Sequence, residues 1–413
     1  MKRFVQFLGA ATLLLSFTQC SEDATTDSAP SVQGSVKLTA SINETRTELS
    51  GNDVLWKSND RLGLFCGTKF VNAPFTTTTG GTTSADFTGD PTDPSGSEAE
   101  VFYAYYPYSA HAVLEGSVVS GLSIPAVQTF ATKSFATELC PMATSGADYS
   151  RLAFRTIGTV LKFQVTGQKN VTKIELTGND GEALAGDYTI DFVGETPEMK
   201  FSGTETTLTL TCSEPVALND ASATEFYFVL PAGIEFTKGI TVKVYTDDNA
   251  EPMVKEYASP LTTRPNKLVT VKAFTYSVPV TSIEEANEAL SKGTSGVTIT
   301  STTDLTAPST LEIPNAFGHG TSTSVEIEQP VSTDLTISEK TTSDKELPET
   351  LSVEMETTAS LIVDTPNLTV SLEGTYTTVE ATTAENTLIV AKNTVIETLT
   401  VKKGNVKIYG TVG

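Results

Sequence analysis

The chain is poor in the residues that most catalytic chemistry uses. Its only histidines, His111 and His319, lie far apart, and neither has a second histidine or a cysteine at ligand spacing, which argues against a zinc site. The four cysteines, Cys20, Cys66, Cys140 and Cys212, are too few and too scattered for a disulfide framework. Buried thiols are expected of Cys66, Cys140 and Cys212, with room for one bridge among them. Basic residues are also scarce: 27 Lys and Arg stand against 50 Asp and Glu, a net charge of −23 with a pI near 4.5. Such a surface repels phosphate backbones, so no nucleic acid partner is expected. There is no Gly-x-Ser-x-Gly elbow, no phosphate-binding Walker loop and no His-Glu-x-x-His helix, so neither an enzyme nor a cofactor is expected. Long apolar runs are missing too. The longest, residues 4–17, falls short of the ~20 residues that cross a ~30 Å hydrocarbon core.

That short run has a purpose where it stands. Lys2 and Arg3 precede it and Phe17-Thr18-Gln19-Cys20-Ser21-Glu22-Asp23 follows it, the layout of a lipoprotein signal peptide over residues 1–19. Processing would leave Cys20 at the N-terminus, acylated through its sulfur and its amine, and so anchored in outer-membrane lipid by more than one chain. Gln19 departs from the small residue usual before a lipidated cysteine, and a plain secretory signal with an incidental cysteine is the competing reading. Ser21, Glu22 and Asp23 resemble the acidic export signal of surface-exposed lipoproteins in some Gram-negative anaerobes. Residues 20–34 are rich in Ser, Thr, Asp and Pro and read as a flexible tether.

From Ser35 the pattern is alternation, not helical period. Val36, Leu38, Ala40 and Ile42 face one way while Lys37, Thr39 and Ser41 face the other, a half-buried strand. Further strands are expected at 54–56, 62–66, 100–105 and 159–166, punctuated by turns such as Thr79-Gly80-Gly81 and Asp93-Pro94-Ser95-Gly96. A second set is expected at 171–176, 188–192, 206–212, 225–230, 240–245 and 267–271. Turns at this density predict antiparallel sandwiches, one over 35–167 and a second over 168–275.

Several stretches here are similar to the fimbrillin family, subunits of type V pili and related surface lipoproteins. Thr45-Arg46-Thr47, then Val54-Leu55-Trp56-Lys57-Ser58-Asn59-Asp60-Arg61-Leu62-Gly63-Leu64-Phe65, resembles the family's strand, turn and strand around a Trp. Asn59 stands where the family usually has Gly, and Asn tolerates the left-handed turn. Tyr103-Ala104-Tyr105-Tyr106-Pro107-Tyr108 resembles an aromatic strand end of the family. Pro231-Ala232-Gly233 and Arg264-Pro265-Asn266-Lys267-Leu268 resemble its second lobe and closing strand. The resemblance implies two transthyretin-like seven-stranded sandwiches, a role in adhesion or pilus assembly, and other fimbrillin subunits or surface ligands as partners. It also suggests Arg46 as a processing site that frees a groove when the leading strand is removed, although Arg46 as a surface residue beside an intact strand is the favoured reading. Trp56 and the tyrosine cluster are expected as core and rim packing, with sugar stacking the sharper alternative.

Composition shifts after Phe274: aromatics thin and Thr dominates. Residues 281–290 make the clearest helix, with Ser282 as cap, Glu285 completing a capping box and Gly293 as the stop. Its apolar stripe is Ile283, Ala286, Ala289 and Leu290. Behind it come apolar pairs without hairpin turns: Val297/Ile299, Leu311/Ile313, Val325/Ile327, Leu335/Ile337, Leu351/Val353, Leu361/Val363, Leu368/Val370, Leu388/Val390, Leu399/Val401 and Val406/Ile408. Region 281–413 therefore resembles a helix-capped right-handed parallel β-helix, a third sandwich being the alternative. In that arrangement Lys402, Lys403 and Lys407 either guard an open coil or flank a docking surface. Polysaccharide lyases use such helices, but Asp304, Asp334, Asp344 and Asp364 are single among Thr and Pro, and His319 is a lone loop histidine. The expected protein is all-β, without enzymatic activity, lipid-anchored and exposed on the outer membrane; a glycan-binding module of a nutrient-uptake system is the rival.

Overall fold

Strand Val36–Ile42 sits between two neighbours, as its alternation requires. It runs antiparallel to Ser84–Gly89 and parallel to Arg151–Thr156. Met142–Gly146, Phe102–Tyr106, Arg61–Cys66 and Phe70–Thr77 complete a closed ring of seven strands. The computed structural model describes residues 35–42, 54–136, 139–248, 251–301, 303, 305–318, 320–341 and 346–413, with the backbone alone at 383–386. Leu38, Ala40, Leu64, Phe75, Phe87 and Phe154 fill the ring. Trp56 lies among them, edge-on to Phe87, Tyr106 and Phe154 at centroid distances of 5.0, 5.3 and 5.7 Å. Its indole N–H donates to the Ala40 carbonyl at 3.0 Å, which settles the polar atom that burial would otherwise strand.

The expected strand at 54–56 is a single bridge from Trp56 to Thr82. A turn begins immediately after it, where the Lys57 and Asp60 backbones pair and the Asp60 carboxylate accepts the Lys57 N–H at 2.7 Å. Asn59 takes the left-handed conformation of that turn at φ 74°, as its place in the sequence predicted.

The second core is a sandwich. Thr159–Thr166, Thr224–Leu230 and Lys267–Thr270 form one sheet, and Met253–Tyr257, Ile240–Thr246, Asn170–Gly178, Thr207–Ala217 and Val127–Thr129 form the other. The first of these sheets is a wall with cores on both sides. Val160, Tyr227 and Val229 face the ring, while Leu161, Phe163, Phe226, Phe228 and Leu230 face the sandwich interior. That double burial explains why Phe226-Tyr227-Phe228-Val229-Leu230 shows no alternation.

Chain segments cross between lobes. Gly186–Asp191 pairs with Val118–Ile124, and Val127–Thr129 runs parallel to Thr207–Ala217, so strands from both sides of Gly167 share sheets. The four strands Glu198–Phe201, Gly186–Asp191, Val118–Ile124 and Val113–Glu115 make a small sheet. Its Tyr188, Ile190, Leu122 and Val119 pack on Phe65, Tyr105 and Ala143 from the outer face of the ring.

From Val278 the chain builds a parallel β-helix. Val278–Val280 starts a stack of parallel rungs through Gly296–Ile299, Ser322–Ile327, Thr350–Asp364, Thr369–Val390 and Val395–Ile408. Ser309–Pro314 and Leu335–Lys340 begin a second face. Rows hold in register: Val297, Val325 and Val353 in one, Leu335, Leu361, Val379 and Leu399 in another. The expected pairs are the inward rows, with burial thinning at Leu399, Val401 and Val406 and Ile408 exposed. The Lys402 ammonium engages Glu380 on the preceding rung.

Helix Ile283–Ser291 lies against the stack through Ala286 and Leu290, with Ile283 and Ala289 at its margin. Ser282 caps it as expected, accepting the Glu285 N–H at 3.2 Å. The capping box is modified, for the Glu285 carboxylate accepts from the Thr281 N–H and hydroxyl, one residue before the cap. Gly293 follows at φ 75°, and a Cβ there would come within 2.6 Å of the Ala316 carbonyl.

Candidate functional site

Cys20, Ser21, Glu22, Asp23 and Arg46 lie outside the described residues. Cys66 and Cys140 are buried and Cys212 half-buried, and no disulfide joins any two of them, so the bridge allowed by the sequence is not formed among them. Burial pushes the Cys66 thiol up and that of Cys212 to about 11, leaving both mainly protonated at neutral pH.

The aromatic cluster offers no stacking platform. Trp56, Tyr105 and Tyr106 are buried, Tyr103 packs on Phe192 at 5.0 Å, and the Arg61 guanidinium covers the Tyr108 ring at 4.4 Å. Tyr105 donates to the Asn72 side chain at 2.6 Å and Tyr106 to Asp60 at 2.9 Å. These rings hold the ring of strands together, as the packing reading predicted.

Two other stretches of the resemblance meet in space. Asn266 adopts φ 55° and its N–H donates to the Gly158 carbonyl at 3.0 Å, while the Thr159 hydroxyl donates to the Arg264 carbonyl at 2.7 Å. These bonds start the parallel pairing of Lys267 with Thr159. The Gly233 N–H donates to the Thr263 carbonyl at 3.0 Å, and Gly233 has φ 88° with open space where a Cβ would stand. The two stretches thus line one cleft of about 470 Å³, with the end of strand Arg151–Thr156 as a third wall and residues 196–199 as a fourth. Alternation sends Leu152, Phe154 and Thr156 inward and Arg155 outward into this cleft. Arg155 also lines an adjoining cavity of about 210 Å³ with Glu195 and Pro197.

The charges in the cleft are unevenly satisfied. Glu198 pairs with Lys200 at 2.7 Å. Arg155 and Lys267 have no ion pair or side-chain hydrogen bond among the described residues, whereas Lys162, Lys169 and Lys173 each lie 2.6 to 2.7 Å from a carboxylate. Sequence reasoning placed Lys267 in a closing strand and passed over Arg155. Two outward arginines on one strand, Arg151 and Arg155, were the available signal in so acidic a chain.

A third cleft, about 450 Å³, lies between sandwich residues Thr166, Asp220 and Thr275 and β-helix residues Ser295, Ser324 and Ser352. The two parts are tied by Lys255 and Glu326 at 3.6 Å.

No protein family and no curated protein matches the sequence. Among solved structures, the chain is similar to the tip fimbrial protein Mfa3 of Porphyromonas gingivalis with a C-terminal truncation, at 12% identity over 55% of this chain and 83% of that one, with a TM-score of 0.28. A candidate cell adhesion protein of Bacteroides fragilis matches at 12% identity over 59% of this chain and 94% of that one, with a TM-score of 0.33. The major pilin of Streptococcus pyogenes follows at 11% identity, 58% and 97% coverage and a TM-score of 0.15. Likenesses this loose carry no argument about activity.

Proposed function

We propose that the chain is a cell-surface lipoprotein of fimbrillin type, held in the outer membrane by acylated Cys20 and exported under Ser21, Glu22 and Asp23. It acts without catalysis, in adhesion, as a pilus-associated subunit or a stand-alone adhesin. The observation that supports this reading is the meeting of the fimbrillin-like stretches within one fold. Trp56 and Tyr106 pack against each other in the first core, and residues 232–233 and 265–267 wall one cleft between the lobes. The leading strand Val36–Ile42 is paired on both edges, which favours an intact strand over removal at Arg46.

The test is attachment of cells with and without the gene, together with N-terminal sequencing of the protein taken from cells. Reduced attachment and a blocked, acylated Cys20 are expected. A start at Thr47 would instead mark a polymerising subunit, in which an incoming strand supplies the main-chain hydrogen bonds of the lost one. Unchanged attachment, with tight binding to one polysaccharide, would replace adhesion by glycan capture for uptake.

A further inference from the structure

The interlobe cleft holds two basic groups that the fold does not use. We propose that Arg155 and Lys267 bind the carboxylate of a sugar acid, a uronic or sialic unit of a glycan. The proposal deepens the adhesion reading, on which the surface source of the glycan rests; the site itself stands on the cleft.

The charge balance gives the first reason. With 50 acidic residues against 27 basic ones, carboxylates are plentiful, yet Arg151, Lys243 and Lys403 also have no ion pair among the described residues; what marks Arg155 and Lys267 is that both line one cleft. Arg155 and Lys267 line the cleft without a partner among the described residues, while Glu198, which also lines it, is engaged by Lys200. Glu195 lines the adjoining cavity and not this one. Two unpaired cations lining one cleft favour an anion there, and a guanidinium can grip a carboxylate through two parallel N–H bonds.

The rest of the lining selects the kind of anion. Thr196 and Asn266 supply a hydroxyl and an amide, as ring hydroxyls require, and Met199 and Ala232, with the edge of Ile157, supply apolar lining suited to the C–H face of a sugar. The volume of about 470 Å³ is within the ~300–1,000 Å³ usual for small-molecule sites. The cleft is open to solvent, so the glycosidic oxygen of a bound unit can lead out to the rest of a chain.

The experiment is titration calorimetry of the full chain with D-glucuronate and N-acetylneuraminate. Glucose, the methyl ester of glucuronate and the peptide acetyl-Ala-Ala serve as competitors of different chemistry. At least one sugar acid is expected to bind with a Kd of about 1 mM or tighter, and glucose and the ester about tenfold or more weakly. Arg155→Gln and Lys267→Gln should each weaken binding about tenfold, Lys267→Arg should restore it, and Arg151→Gln, on the same strand outside the cleft, should change nothing. Circular dichroism and the melting midpoint confirm that each variant is folded, and Arg155→Lys replaces Arg155→Gln if that variant is not. No sugar acid binding at about 10 mM, equal binding of the ester, unaltered binding by both Gln variants, or binding of the peptide alone each overturns the proposal. Cell attachment is read separately: a chain that fails to bind sugar acids yet is needed for attachment sinks this site and spares the adhesion reading.

Discussion

Trp56 concentrates the dependence of the first lobe on single side chains. Its ring touches three aromatics contributed by three different strands, and its N–H satisfies a carbonyl of a fourth. Trp56→Ala should cost about 3–5 kcal/mol, since the surrounding rings cannot all collapse into the space. Trp56→Phe should cost about 1–3 kcal/mol, much of it from the Ala40 carbonyl left buried without a donor. Urea midpoints at constant slope measure both, and a Trp56→Phe variant as stable as the wild type would show that water replaces the indole. Burial of Trp56 was legible because a lone Trp among alternating apolar residues has few other places to go. Arg155 was not legible as a site residue. An outward arginine looks like any surface residue until remote residues, 196–199, 232–233 and 265–267, line a cleft with it.

At the scale of elements, what the sequence showed depended on how many faces an element buries. The β-helix rungs bury one face each, so their Val, Ile and Leu rows stood out from the Thr between them. Strand Thr224–Leu230 buries both faces, and its pattern gave the strand but not its place as a wall between two cores. Partners that cross the expected division near Gly167 could not be read either, because pairing of 186–191 with 118–124 leaves no local mark. Helix Ile283–Ser291 depends on its cap: Ser282→Ala should cost about 1 kcal/mol, seen as a lower midpoint with the rung order unchanged. Glu326 gives a pH-dependent counterpart. Burial pushes its carboxyl above the usual range, Lys255 pulls it back down only in part, and Glu354 and Glu328 push it up again. The folded state therefore favours the protonated form. That contribution is fully present below the ordinary Glu value and is lost as pH rises through the raised one. Glu326→Gln stays neutral throughout. It should stabilise the chain at pH 8 by a few tenths to about 1 kcal/mol and make no difference near pH 4. A lower midpoint at pH 8 would mean that the ion pair with Lys255 outweighs the desolvation it has to offset.

For the molecule as a whole, the proposed anchor and the leading strand are linked, because residues 36–42 lie in sequence between Cys20 and the rest of the chain. If Cys20 is acylated, Cys20→Ala releases the protein from membranes, and the native protein shows three titratable thiols after unfolding instead of the four in the sequence. Four thiols in membrane-associated wild type would remove the anchor from the argument. The strand Val36–Ile42 makes six register pairs with one neighbour and four with the other, and buries Leu38, Ala40 and Ile42 in the core. Burial of a Leu or Ile side chain is worth about 1.5–3 kcal/mol, and each ladder hydrogen bond about 0.5–1.5 kcal/mol net. Release would also bare two strand edges that recruit other chains. Cutting the backbone after Arg46 removes none of these contacts, so a cut chain should keep residues 36–42 through gel filtration and give them up only in denaturant. A synthetic peptide of Val36–Ile42 should then enter the cut chain slowly, at the rate at which the resident strand leaves, and should not enter the uncut chain. Loss of the strand on cutting alone, without denaturant or competitor, would mean that its pairs and core residues hold far less than their burial implies, and would make cleavage at Arg46 sufficient to open a groove for a second subunit.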